Sequence, residues 1–249
     1  MAEGIASLAM YSLAPLRPAA EALWRTVRAN LGHGPSSLEW TVLTPEVWHH
    51  PDLLVAQACG WPLVHGLTEI AAVVGTFDYD VPGAERGTYR SVIISRDGTA
   101  IDELRARPAV TAAINSPDSL SGWVSLQHEW GGVPACVLET GSHLESVRAL
   151  ATGRADVASI DAVTWTHIQR LEPALAATVQ QIGAGPRVPC LPLVVAGRLA
   201  AEVPAWRAAF AAAVADPGAA EACAILRIRG FVPLDLADYL PLRELLAAR

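Results

Sequence analysis

The sequence predicts an α/β protein of two lobes, each a mainly parallel sheet flanked by helices. Short apolar runs alternate with helical patterns along the whole chain, which is typical of strand–helix–strand units. The length of 249 residues is near the size at which one domain begins to divide into two lobes. No internal repeat or low-complexity linker interrupts the alternation. By length alone, two lobes and one large domain are both admissible.

The first part of the chain is predicted to form five strands and one long helix. A strand is expected at 5–10, and Pro18 then opens a helix whose apolar positions recur at helical spacing until Gly32 ends it. Short, mostly apolar runs indicate four further strands. These are LEWTVL at 38–43, LLVAQACG at 53–60, EIAAVVGTF at 69–77 and TYRSVIIS at 88–95.

In the middle of the chain a strand runs into a helix three times in succession, after a helix predicted at 101–107. The pairs are AVTAAIN before SGWVSLQHEW, ACVLETG before SHLESVRALATG, and VASIDA before a helix through TWTHIQRL. In open α/β sheets, ligands gather at the carboxyl ends of strands, where helices begin. We therefore expect the binding chemistry at these three junctions, in a cleft between the lobes.

The last part of the chain is predicted to return to the first lobe. The segment PRVPCLPLVVAG indicates the return crossing, and an alanine-rich helix at 206–215 follows it. A PG turn, another helix and a short final helix in DYLPLRELLAAR complete the prediction. The predicted lobes are 1–96 plus 190–249 for the first and 97–189 for the second, joined by two hinge crossings.

Composition excludes several classes of function. The net charge of −7 and the scattered basic residues, all 18 of them arginine, argue against a nucleic-acid partner. No apolar run approaches the roughly 18 residues of a membrane span. The amino terminus lacks the basic start of a secretory signal, so the expected location is the cytoplasm unless a leader has been removed.

The cysteines predict neither a metal site nor a redox centre. Cys59, Cys136, Cys190 and Cys223 lie far apart and form no C-x-x-C pair. Buried free thiols are the expectation for all four. No metal or cofactor is predicted for this chain.

The first junction, NSPDSLSGW at 115–123, predicts an anion site. A helix start offers unpaired backbone N–H groups and the positive end of the helix dipole. Ser116, Ser119 and Ser121 add hydroxyl donors there, and Gly122 lets a ligand approach the backbone. The alternative is that one serine caps the helix and Pro117 occupies its first turn, which needs no ligand.

The second and third junctions carry the same ambiguity. In TGSHLES, Ser142 and Glu145 match a capping box, which leaves His143 as the residue that can donate to an oxyanion or simply pack. In ASIDAVTW, Asp161 can accept a hydrogen bond from a protonated phosphate or phosphonate oxygen. An N-cap for the following helix explains Asp161 equally well.

These motifs together carry a resemblance to a known family. NSPDSLSGW, then TGSHLESVRALATGRADVASIDAVTW, with QACGWPL and YRSVII upstream, resemble the phosphate/phosphite/phosphonate-binding proteins of ABC transporters. The likeness runs from about Leu8 to about Val195. It implies the type 2 periplasmic-binding fold, in which two α/β lobes close on a ligand.

The resemblance also implies roles for individual residues. Ser119, Ser121 and Gly122 match the serine-rich turn that holds the phosphoryl group. His143 matches a histidine that reaches the same ligand, and Tyr11 and Tyr89 match tyrosines that close over it from the first lobe. Around ASIDAVTW the residues that contact the organic substituent in the family are not evidently retained.

The leading hypothesis is a non-catalytic solute-binding protein that captures a small phosphorus oxyanion or phosphonate in the interlobe cleft for ABC-type uptake. The implied partners are the small anion and an ABC permease, and the family implies a monomer that works in the periplasm. One alternative is an enzyme on the same fold, like the pyrimidine-precursor synthases of thiamine biosynthesis, with His143 or Cys59 as the reactive group. No nucleophile, base and acid stand at recognisable spacing for it. The other is a cytoplasmic sensor that signals by lobe closure.

Overall fold

The computed structural model describes residues 4–42 and 44–247 and divides the chain into two compact units. Unit 1 contains the chain up to Asp80, then Ala84–Thr88 and Pro189–Leu242. Unit 2 contains Val81–Gly83, Tyr89–Val188 and the chain from Arg243 on. Each unit has a five-stranded mixed sheet flanked by helices.

The two sheets interleave strands that are far apart in the sequence. In unit 1 the order is β1-β2-β9-β3-β10, and in unit 2 it is β6-β5-β7-β4-β8. The ten strands of the described residues are β1 (Ile5–Ser7), β2 (Leu53–Gln57), β3 (Ala71–Tyr79), β4 (Thr88–Ser95), β5 (Thr111–Ile114), β6 (Cys136–Glu139), β7 (Val157–Ile160), β8 (Gln180–Pro189), β9 (Pro192–Ala196) and β10 (Ile228–Val232).

Helices of very different length connect these strands. The eleven α-helices of the described residues are α1 (Arg17–Leu31), α2 (Thr44–Trp48), α3 (Gly60–Pro62), α4 (Ile101–Arg105), α5 (Ser125–Trp130), α6 (His143–Ala151), α7 (Ala162–Leu171), α8 (Pro173–Ala176), α9 (Val203–Ala215), α10 (Ala220–Ile225) and α11 (Leu236–Tyr239). Two segments are π-helical, Leu63–Leu67 and Leu120–Val124. Short 3-10 turns occupy Ala9–Tyr11, Ala14–Leu16, Gly197–Glu202, Pro217–Ala219 and Leu240–Glu244.

Unit 1 is built around β9, which lies between β2 and β3 and runs antiparallel to both. Helices α1 and α9 pack against each other, and the rings of Trp24 and Trp206 stack with their centroids 6.5 Å apart. Both rings are fully buried, which makes them a large apolar contribution to this core. Gly32, with φ of +83°, ends α1 as the sequence predicts, because glycine adopts the left-handed region without strain.

Unit 2 brings three parallel strands side by side. β5 pairs in parallel with β6 on one side and with β7 on the other, whereas β4 runs antiparallel to β7. A buried apolar cluster that includes Ile93, Leu126 and Val157 fills the space beneath the helices. Because β6, β5 and β7 are parallel neighbours, their carboxyl ends lie along one edge of the sheet.

The sheets differ from the prediction of mainly parallel strands. In unit 1, among the described strands, only β1 and β2 pair in parallel. The chain reaches β9 directly from β8 of the unit 2 sheet. Among the helices of the described residues, none on the unit 1 sheet connects β9 to a preceding strand of that sheet, so the parallel direction of a strand–helix–strand repeat is not imposed on it. The prediction for LEWTVL is also wrong over the described residues 38–42, where the Glu39 carboxylate accepts hydrogen bonds from the N–H groups of Thr41 and Val42 and closes a turn. Residue 43 lies outside the described residues.

The boundary between the units also differs from the prediction. The sequence placed 88–95 in the first lobe, but β4 pairs with β7 in the sheet of unit 2. The chain therefore crosses near residue 88 instead of near residue 96. A strand that is buried on both faces carries no local signal of which sheet it joins.

Three of the four cysteines match their predicted environment. Cys59, Cys190 and Cys223 are buried free thiols, whereas Cys136 is exposed on the edge strand β6. Over the described parts of the chain, no group of three or more His, Cys, Asp or Glu residues is arranged to hold a metal ion. Within 4–42 and 44–247 no single helix is long and apolar enough to cross a membrane. By length and composition alone, one pair bent by 71°, Gly197–Ala215 with Pro217–Ile225, meets that requirement.

Candidate functional site

The three predicted strand-to-helix junctions are neighbours at one edge of the unit 2 sheet. Ala113 of β5 pairs with Leu138 of β6 on one side and with Ala158 of β7 on the other. Helical structure follows each strand, first at Leu120–Val124 continuing into α5, then at α6 and α7. The order of strands and helices through this region is confirmed.

At the first junction Ser119 caps the helix. Its Oγ accepts a hydrogen bond from the N–H of Gly122 at 2.9 Å, and the residue itself is buried. Gly122 packs tightly, since a Cβ at this position would lie 1.9 Å from the Oδ1 of Asn115. That Asn115 oxygen is buried and accepts no hydrogen bond from the described residues. A side chain at position 122 would therefore require the Asn115 amide group to move.

Ser121 connects the first junction to the other two. Its Oγ lies 2.9 Å from Nε2 of His143, the first residue of α6. Its backbone carbonyl accepts a hydrogen bond from the hydroxyl of Ser159 in β7 at 2.6 Å. Ser121 is 7% exposed; its contact with Ser159 is buried, and its contact with His143 is partly buried. Ser121 is thus held by residues from both neighbouring strand–helix units, through its side chain by His143 and through its backbone by Ser159.

The His143 imidazole is neutral at neutral pH. Burial of the ring lowers the pKa of His143 to about 4, because the charged form loses its hydration. Nδ1 of the ring is buried and has no hydrogen-bond partner among the described residues. The pair therefore offers an anion neutral hydrogen-bond groups and no positive charge.

The capping alternatives describe the second and third junctions well. Ser142 is exposed, and its Oγ accepts a hydrogen bond from the N–H of Glu145 at 3.2 Å. Asp161 is 2% exposed, and its Oδ1 accepts from the N–H groups of Val163 and Thr164, both at 2.9 Å. Each residue satisfies first-turn donors of its own helix. A part for Ser142 or Asp161 in ligand binding stays a prediction.

The two candidate tyrosines lie in different units. Tyr11 belongs to unit 1, where its ring meets that of Tyr79 edge to face at a centroid distance of 5.6 Å. Tyr89 begins the unit 2 stretch in β4 and is 1% exposed. The resemblance assigned both tyrosines to the first lobe, and for Tyr89 that assignment is wrong, because β4 joins the second sheet. Ligand contact by either tyrosine stays a prediction.

Ser159 and Asn115 were not predicted as part of this site. Ser159 is fully buried in a strand whose other residues are apolar, and a lone polar residue in such a strand signals a specific hydrogen bond. Asn115 directly follows β5 and stands at the start of the serine-rich turn. The position of Asn115 at the end of a strand is the sequence feature that could have identified it as a site residue.

Each of the two α/β units has a mixed five-stranded sheet, and the chain passes from the first unit to the second and back. This arrangement defines the type 2 periplasmic-binding class. The sequence model of one family, described as the phosphonate periplasmic substrate-binding protein of ABC transporters, matches residues 78–239. The chain belongs to this family of periplasmic substrate-binding proteins. The predicted family and fold are confirmed.

Solved structures share the fold at low sequence identity. A binding-protein component of an ABC phosphonate transporter from Pseudomonas aeruginosa matches with a TM-score of 0.76 at 17% identity, covering 96% of this chain and 84% of that one. PhnD1 from Prochlorococcus marinus, solved with methylphosphonate, matches with a TM-score of 0.76 at 13% identity, covering 97% and 95%. XAC2383 from Xanthomonas citri, solved with ATP, gives 0.66 at 18% identity, covering 98% and 94%. No curated protein sequence matches the chain.

Proposed function

We propose that the chain is a solute-binding protein that captures a small phosphorus oxyanion, such as phosphate or phosphite, or an alkylphosphonate, for uptake through an ABC permease. The observation that carries this proposal is the 2.9 Å contact between Ser121 Oγ and His143 Nε2. It joins two helix starts that lie on neighbouring parallel strands. Family membership and the methylphosphonate in the Prochlorococcus marinus structure support the choice of ligand class.

Neutral donors are sufficient to bind such an anion. Hydrogen bonds to a charged group contribute about 1.5–3 kcal/mol each. Micromolar affinity requires about 8 kcal/mol after the cost of ordering the ligand and the site. About five or six hydroxyl and amide donors can reach that value, so the net charge of −7 does not oppose the proposal.

The same contact favours binding over catalysis. A serine hydrogen-bonded to a histidine is a nucleophile and base in many enzymes, where an acidic or carbonyl group holds the second ring nitrogen. In the described residues, no such group meets Nδ1 of His143. An imidazole with a pKa of about 4 is also a weak base at neutral pH. The pair is therefore suited to hydrogen bonding and poorly suited to proton abstraction.

Calorimetry with phosphate, phosphite, methylphosphonate and aminoethylphosphonate tests the proposal. We expect at least one of the four to bind, and Ser121→Ala to weaken that binding by about 1–3 kcal/mol, or roughly fivefold to 150-fold. Ser116→Ala is the matched control, because the Ser116 hydroxyl in the same turn bonds to Asp118 at the surface. If wild type binds none of the four anions, the proposal is wrong. Mass spectrometry of the incubated mixtures would reveal a converted ligand if the chain were an enzyme.

A further inference from the structure

The contact between Ser121 and His143 can hold its protons in two ways. In the first, the serine hydroxyl donates to Nε2 and the ring proton sits on Nδ1. In the second, Nε2–H donates to the serine oxygen and Nδ1 carries no proton. The distance of 2.9 Å suits both arrangements. They differ in what Ser121 can do next, because only the second leaves its hydroxyl proton free to reach another acceptor.

The surroundings of the ring distinguish the two arrangements. The tautomer of a neutral histidine is set by the partners of its two nitrogens. Nδ1 is buried and meets no acceptor among the described residues, so a proton there would be an orphaned buried donor. Nε2 faces a hydroxyl oxygen that can accept. Burial keeps the pKa of His143 near 4, so the ring carries a single proton at neutral pH.

We propose that His143 is a positioning residue that donates its Nε2–H to Ser121 and thereby directs the Ser121 hydroxyl proton toward the bound oxyanion. This inference rests on the proposed function and deepens it. The ring acts through Ser121, whereas the family resemblance implies that this histidine reaches the ligand itself. Hydrogen bonds in such a chain polarise one another, so each strengthens the next.

Ser159 completes the arrangement from the opposite side. Its hydroxyl donates to the backbone carbonyl of Ser121 at 2.6 Å, inside the protein. The backbone of Ser121 is thus held by β7 while its side chain is held by α6. The orientation of one hydroxyl group is fixed by two neighbours that are distant in sequence.

Nitrogen-15 NMR of the histidine side chains tests the proton arrangement in unliganded wild-type protein at pH 7. The signal of His143 is identified by its loss in His143→Gln. We expect the protonated-type chemical shift on Nε2 and the unprotonated type on Nδ1. A proton on Nδ1 would overturn the inference, whatever the ligand proves to be.

Binding of methylphosphonate tests the role of His143 through Ser121. Glutamine can place an N–H where Nε2–H lies, so we expect His143→Gln to bind within about threefold of wild type. His143→Leu should lose as much affinity as Ser121→Ala, about fivefold or more. The double variant Ser121→Ala/His143→Leu should lose no more than either single variant. If the losses multiply in the double variant, His143 acts independently of Ser121 and the inference is wrong.

The two proposals fail in different ways. If no phosphorus oxyanion binds to wild type, the proposed function is wrong, and the NMR result still decides which nitrogen carries the proton. If methylphosphonate binds and the proton lies on Nδ1, the proposed function stands and the positioning role of His143 is excluded. Thermal unfolding of each variant confirms that a loss of affinity does not arise from a loss of structure.

Discussion

The buried hydroxyl of Ser159 in β7 donates a 2.6 Å hydrogen bond to the backbone carbonyl of Ser121, the second residue of the π-helical turn. This bond ties the end of the third parallel strand to the first junction. It also places a polar side chain where an apolar strand residue would be expected. The stability of unit 2 and the geometry of its candidate site are therefore linked through one residue.

Removal of this bond should reduce stability. Ser159→Ala leaves the Ser121 carbonyl buried without its donor, so we expect the free energy of unfolding to fall by about 1–3 kcal/mol. Urea unfolding of wild type and Ser159→Ala measures this change in the free energy of unfolding. The control Ser116→Ala removes a surface hydroxyl and should change stability by less than about 0.5 kcal/mol. Equal losses in the two variants would show that the buried hydrogen bond contributes no more to stability than a surface hydroxyl does.

Gly122 should not tolerate a side chain. The methyl group of Gly122→Ala would approach Asn115 Oδ1 to 1.9 Å, so we expect a loss of about 1–3 kcal/mol in the free energy of unfolding. Because the obstacle is the end of one side chain, Asn115→Ala in the same protein should recover part of the loss. Gly66, in the other π-helical turn, has open space at its Cβ position.

Gly66→Ala is the matched control for that experiment. It should be neutral or stabilise the protein by up to about 1 kcal/mol, because alanine loses less conformational entropy than glycine in a helix. Chemical unfolding of all four proteins provides the comparison. If Gly122→Ala is as stable as Gly66→Ala, the tight packing at the first junction is refuted.

Acid should destabilise the protein partly through His143. The folded-state pKa of about 4 lies below the unfolded value of about 6.5, so the unfolded chain binds the proton more strongly between these values. Stability is therefore lost as pH falls from about 6.5 to 4, by up to about 3 kcal/mol from this residue. His143→Gln lacks this contribution, so its stability should decline less over the same range. Unfolding curves at pH 7 and pH 4 for both proteins measure the difference, and parallel declines would contradict the assignment.

Asp161 should reveal its capping role through two substitutions. Asparagine is as good an N-cap as aspartate, so Asp161→Asn should change stability by less than about 0.5 kcal/mol, whereas Asp161→Ala should cost about 0.5–2 kcal/mol. Thermal unfolding measures both. If the carboxylate also accepts a hydrogen bond from a protonated ligand oxygen, Asp161→Asn should bind methylphosphonate more weakly than wild type at equal stability. Unchanged affinity in Asp161→Asn would exclude a role for the carboxylate in ligand binding.

The sequence was informative where polar residues follow apolar strands. The order of β5, β6 and β7 and of the helices after them was predicted, because each strand is short, apolar and followed by a cap residue. The proximity of Ser121 and His143 follows from that order, since parallel neighbours end at one edge. The hydrogen bond between them required the three-dimensional structure, because no local pattern sets a side-chain distance across 22 residues.

Other features could not be derived from local sequence. β8 contains two glycines and two prolines in ten residues and therefore has the composition of a loop, yet it is the edge strand beside β4 in unit 2. β10 was missed because Arg229 and Gly230 interrupt a short apolar run. The sequence does not distinguish the capping hydrogen bonds of Ser119, Ser142 and Asp161 from ligand contacts, because a cap and a ligand site use the same residue types at a helix start.

The central position of β9 in the unit 1 sheet has a consequence for biosynthesis. β2 and β3 leave the ribosome early, but the strand that separates them follows only after the whole of β4 to β8 has been made. The nascent amino-terminal segment must therefore wait with three unsatisfied strand edges exposed, one on β2 and both on β3, while all five strands of unit 2 are already available to assemble. Co-translational folding of this chain should begin in its middle, and transient protection of the early strands, for instance by a chaperone, would be most valuable before residue 192 emerges.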